Sequence, residues 1–162
     1  MQSMVVYYSY TGCTELVART LAEVIQARVV PIEDLEKPSK IKAYVAGSAA
    51  AIRGKAWPIK PCSADLSGCG RVFAGSPVWA GMPAPAFNAF VEQTDFSGKA
   101  VVVFVTMAGG AQDTALNAMK EKITAKGGKV VDSFCVKTGK TSKDALAGRA
   151  REIAQQYAQP PA

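Results

Sequence analysis

Apolar positions along this chain follow two alternating rhythms. Short apolar runs of strand length occur at residues 4–8, 28–32, 71–75, 99–106 and 129–137. Between them lie stretches with apolar residues at helical spacing. Val17, Leu21, Val24 and Ile25 mark a helix over residues 13–27. Residues 41–53 are alanine-rich and predict a helix interrupted by Gly47; residues 86–93 predict a short one. Residues 113–126 predict a helix with Leu116, Met119 and Ile123 inward, stopped by Gly127 and Gly128. Ser142 is placed to cap a last helix that carries Leu146, Ala150, Ile153 and Tyr157 on one face. Residues 33–40 and 54–70 hold prolines and glycines and predict surface connections; the tail at 159–162 predicts a frayed end.

Strand then helix, five times over, predicts one α/β domain spanning residues 1–162, a three-layer α/β/α sandwich around a parallel sheet. In such sheets ligands sit at the carboxyl edge, where the strand order reverses. The loops after the first, third and fourth predicted strands converge there, and each is unusual. Ser9-Tyr10-Thr11-Gly12-Cys13-Thr14 is a run of hydroxyls around one glycine, between a strand and a helix. The free N–H groups and dipole of a helix start form an anion site, and Gly12 lets a ligand approach without a Cβ in the way. In isolation an ordinary connection with a threonine cap explains the run as well. Residues 76–85 predict a loop rich in proline and glycine, in which Trp79 offers a flat face for stacking. Residues 107–112 contain Gly109 and Gly110, where backbone can approach a planar ligand. Together the loops describe a cleft for a phosphate joined to a flat heterocycle.

Composition narrows the chemistry. The sequence of 162 residues contains no histidine, which excludes Ser-His-Asp and Cys-His catalysis and most zinc sites. Four cysteines without a C-x-x-C pair, and no signal-peptide pattern, predict free thiols in a cytoplasmic protein. No apolar run has the length of a membrane span. The formal net charge is +6 and uneven: residues 37–71 carry seven basic groups against Asp65 alone. A solvated surface is the simplest reading; a basic face toward an acidic partner is the functional one. Aromatic residues are not interleaved with the basic ones, which argues against nucleic acid.

Ser-Tyr-Thr-Gly-Cys-Thr at residues 9–14 resembles the phosphate loop of flavodoxins, commonly Thr/Ser-x-Thr-Gly-x-Thr. Gly-Ser-Pro-Val-Trp-Ala-Gly at 75–81 and the Gly-Gly loop are similar to the second and third loops of the short flavodoxin-like family. The motifs stand in order over nearly the whole chain. The resemblance implies a five-stranded parallel sheet in the order 2-1-3-4-5, with FMN as cofactor and no metal. Carried over by position, Ser9, Thr11, Gly12, Cys13 and Thr14 would hold the FMN phosphate, with Tyr10 in the same loop. Ser76, Pro77, Val78, Trp79, Ala80 and Gly81 would line the ribityl and isoalloxazine; Ala108, Gly109 and Gly110 would face the pyrimidine edge. The implied function is electron transfer between redox protein partners, by a monomer or homodimer. The alternative is an NAD(P)H-dependent FMN or quinone reductase on the same fold. Two departures stand out: studied flavodoxins are strongly acidic, and no tyrosine stands in the third loop here.

Three rivals are weaker. Cys13 and Arg19 match the C-x5-R-[ST] spacing of cysteine phosphatases, but Leu16, Val17 and Leu21 continue a helical face that places Arg19 inside the helix. Gly139-Lys140-Thr141 resembles the end of a P-loop, but Phe134 stands where its first glycine belongs. A flavin-free interaction module would use the fold for partner binding alone.

Overall fold

The structure is a computed structural model and describes residues 2–158; the tail at 159–162 lies outside them. Five parallel strands form the sheet: β1 (Gln2–Tyr8), β2 (Arg28–Ile32), β3 (Cys69–Trp79), β5 (Ala100–Met107) and β6 (Lys129–Lys137). A short strand, β4 (Met82–Pro83), pairs antiparallel with β3 and lies off the main order, which is β2-β1-β3-β5-β6. Counting only the parallel strands, this is the expected 2-1-3-4-5. Pro31 sits in β2, an edge strand, where a missing N–H is tolerated.

The period of two along each strand divides the core into two. Met4, Val6 and Tyr8 of β1, Val72 and Ala74 of β3, and Val101, Val103 and Val105 of β5 face one side. Val5, Tyr7, Phe73, Val102 and Phe104 face the other. The first side is covered by α4 (Pro85–Glu92) and α5 (Asp113–Ala125), through Phe87, Phe90, Leu116, Met119 and Ile123. The second is covered by α1 (Cys13–Ile25) and α6 (Lys143–Ala158), through Val17, Leu21, Leu146 and Ala150. Leu116, Met119 and Ile123 thus point inward as expected, and the Ser142 hydroxyl accepts the Ala145 N–H at 3.1 Å as the cap of α6.

Two segments differ from expectation. The predicted loop at 76–85 is mostly a hairpin: β3 continues to Trp79, and Val78 pairs with Pro83 and Trp79 with Met82. Ala80 and Gly81 both have positive φ, 49° and 80°, which gives the two-residue turn that suits strand twist. Gly47 does not interrupt its helix. The chain runs as α2 (Lys40–Lys42), one wide π turn (Ala43–Gly47) and α3 (Ser48–Ile52), with Ser39 accepting the Lys42 N–H at 3.2 Å. Ala43, Gly47 and Ala51, four residues apart, form its buried side.

Candidate functional site

Strand β1 delivers the first loop to the carboxyl edge, between β2 and β3, where the sheet order reverses. Ser9 is half-buried, and its Oγ accepts the Gly12 N–H at 3.1 Å, curling the loop. Gly12 takes φ 101°, closed to most side chains, and a Cβ there would meet nothing within 4 Å. It is the N-cap of α1 and offers no side chain to the first-turn N–H groups. Thr11 is exposed beside it and Cys13 half-buried. Thr14 is buried, and its Oγ1 lies 2.7 Å from Thr106 Oγ1 at the end of β5. Glu15, the one acid in this first turn, is paired with Arg19 at 2.8 Å. Arg19 therefore lies within α1, away from any loop that could curl around an anion.

The second loop supplies an aromatic cluster. Trp79 meets Tyr10, Tyr8 and Trp57 edge to face, at centroid distances of 5.7, 6.0 and 6.1 Å. The π turn closes one side: a Cβ on Gly47 would fall 2.6 Å from Trp79. Tyr10 donates its O–H to the Pro38 carbonyl at 3.0 Å, and Lys37 Nζ lies 5.3 Å from its ring. A cavity of about 340 Å³ opens between the helical segment and the hairpin, with Tyr10, Tyr44, Val78, Trp79 and Ala80 in its walls. Pro77 and Gly81 are half-buried and Ala80 exposed at this rim. Ser76 lies beneath it, fully buried; its Oγ accepts the Ala84 N–H at 3.0 Å and donates to the Pro77 carbonyl at 2.9 Å, latching the hairpin.

The third loop is exposed at Ala108, Gly109 and Gly110. Lys137, at the end of β6, holds it from below: Nζ donates to the Gly110 carbonyl and, at 3.3 Å, to Gln112 Oε1. The loops' own sequences place no acid or base here beyond the Cys13 thiol and the Tyr10 phenol, yet folding brings Lys37 and Lys137 to them. Neither was legible as a site residue, because each lies far along the chain from the loop it serves. Trp57 was missed for the same reason.

A second group of ionisable side chains borders the first loop. Tyr8 donates to Asp34 Oδ2 at 2.7 Å. Burial pushes the Asp34 carboxyl above its ordinary range, with the Tyr8 O–H and Lys37 pulling against it. Burial, then the bond to Asp34, pushes the Tyr8 phenol strongly up, so it stays protonated.

A reversal point carrying an uncapped helix start, an aromatic hairpin and a glycine loop defines an open α/β protein with a candidate ligand site at the strand ends. The sequence profile of the family described as Flavodoxin matches residues 2–148, and the chain belongs to that family. Structures of the same fold include a protein from Bacteroides eggerthii described as a flavoprotein: 21% identity, TM-score 0.74, covering 94% of this chain and 98% of that one. A Lactobacillus acidophilus flavoprotein solved in complex with FMN has 23% identity and TM-score 0.72, covering 83% and 92%. Oxidised Flavodoxin 2 of Bacillus cereus has 15% identity and TM-score 0.61, covering 98% of both chains. No curated protein matches the sequence. Among the described residues no helix is long and apolar enough to cross a membrane.

Proposed function

We propose that the chain binds FMN at this rim and works as an electron carrier between redox proteins. The observation that carries the reading is the N-terminus of α1. Its 13-residue helix opens on a glycine with no side-chain cap, in open space, with its one nearby acid neutralised by Arg19. Such a terminus fits a phosphate through dipoles alone. In this reading residues 9–14 hold the phosphate. Trp79, Ala80 and Gly81 face the ring system from the hairpin, and Ala108, Gly109 and Gly110 from the other side. FMN supplies one- and two-electron chemistry when bound; the protein contributes orientation, exclusion of water and charge. The structure of a flavoprotein with FMN on the same fold supports the reading. A cytoplasmic location is part of it, in keeping with Cys13, Cys62, Cys69 and Cys135 being free thiols.

The test is a fluorescence and absorbance titration of the purified protein with FMN, followed by addition of NADPH. Stoichiometric uptake with no NADPH oxidation is expected. Failure to take up FMN overturns the reading. Oxidation of NADPH by the protein alone replaces it with the reductase.

A further inference from the structure

The helical segment over residues 40–52 is built inside out. Its large apolar side chains, Ile41, Tyr44, Val45 and Ile52, share one face at helical spacing. That face looks to solvent, at 79%, 80%, 63% and 61% exposure. The opposite face is Ala43, Gly47 and Ala51, small enough for the backbone to settle on Trp79. An ordinary surface helix buries its large residues and shows its small and polar ones. A row of large apolar side chains left in water marks a surface that another molecule covers.

Charge selects the kind of molecule. Lys40, Lys42 and Arg53 flank the apolar row, within a stretch holding seven basic groups and one acid. The ion pairs among the described residues are Arg19–Glu15 and Lys60–Glu33, so none of these three cations is paired with an acid there. Asp34 and Glu36 share a cavity with Lys42, so the cationic part of the rim is at Lys40 and Arg53, and an apolar centre beside it is complementary to an apolar centre beside acids. Position adds the third argument. Lys40 and Tyr44 also line the cavity that reaches Tyr10 and Trp79, so a molecule seated on this face stands beside the site.

We propose that residues 40–52 are the docking face for an acidic electron-transfer protein, with Ile41, Tyr44, Val45 and Ile52 at its centre and Lys40 and Arg53 steering the approach. The proposal rests on the electron-carrier reading. Its test uses a strongly acidic [2Fe–2S] ferredoxin as probe, against isotope-labelled protein loaded with FMN, and as purified should FMN not be taken up. Chemical shifts are expected to move at residues 40–52. The affinity is expected to fall about tenfold or more as salt rises from about 0.02 M to about 0.2 M. Ile41→Ser with Val45→Ser, and separately Arg53→Glu, should each weaken binding about tenfold while FMN affinity and the thermal melt stay at the parent's values. The exposed positions make these variants safe for folding.

Absence of binding at low salt, or shifts elsewhere that the variants leave intact, overturns the proposal. So does a dimer in sedimentation equilibrium that Ile41→Ser with Val45→Ser dissociates, since a second copy then covers the face. The FMN titration reads the cofactor assignment separately, so failure of one is distinct from failure of the other.

Discussion

Thr14 shows how one side chain can serve both fold and ligand. Its hydroxyl and that of Thr106 lie 2.7 Å apart in a buried position. One of the two O–H groups donates within the pair, and the other O–H is not used in it. Thr14→Val leaves Thr106 Oγ1 buried without its partner, an expected loss of about 1–3 kcal/mol in urea unfolding. Thr14→Val combined with Thr106→Val removes both polar groups and should recover most of that loss. If Thr14 also meets the phosphate, the double variant regains stability but not affinity: FMN binding is expected to weaken about tenfold, the scale of one hydrogen bond to a charged group. The position of Thr14 in the first loop was readable from local spacing. Its partner was not, because Thr106 stands 92 residues away and meets it only through the parallel sheet.

At the scale of elements, the sequence rhythm located the parallel strands and the flanking helices, and it failed where tertiary contact overrides a local signal. Gly47 reads as a helix breaker. In the fold it is the position where the helix touches Trp79, and a wide π turn carries the helix through it. Helix propensity alone favours alanine there by about 1 kcal/mol. An added Cβ would fall 2.6 Å from Trp79 and 3.2 Å from Trp57, a conflict that should outweigh the propensity. Gly47→Ala is expected to lower stability by a net of about 1–2 kcal/mol and to shift tryptophan emission to the red, as Trp79 moves out. Residues 76–85 failed for a related reason. Their prolines and glycines signal a loop, yet Pro83 fits a two-residue strand, Pro85 opens α4, and the Ala80–Gly81 turn folds the stretch back on β3.

At the scale of the molecule, charge is what no single loop reveals. The site's own loops are nearly free of ionisable groups and by themselves describe a neutral cleft. Folding adds Lys37 at one end and Lys137 at the other, inside a protein of formal net charge +6. A reduced anionic flavin held at this rim would meet a positive field, where a strongly acidic flavodoxin presents a negative one. The field of the net charge amounts to about 1 kcal/mol at low ionic strength and fades with salt, which corresponds to about 20 mV for the two-electron couple. The midpoint potential for full reduction is therefore expected above that of an acidic flavodoxin measured beside it, with a gap that narrows as salt is added. Two substitutions divide the local part from the global part. Lys129 and Lys137 begin and end β6, about 26 Å apart along an extended strand. Lys129→Gln removes a charge at the far edge, so its effect on the potential should be small and vanish at high salt. Lys137→Gln removes one that touches the third loop, so the potential should fall and stay lowered when salt is raised. Equal shifts from both would place the effect in the net charge alone and leave Lys137 as a structural tie of the Gly110 loop.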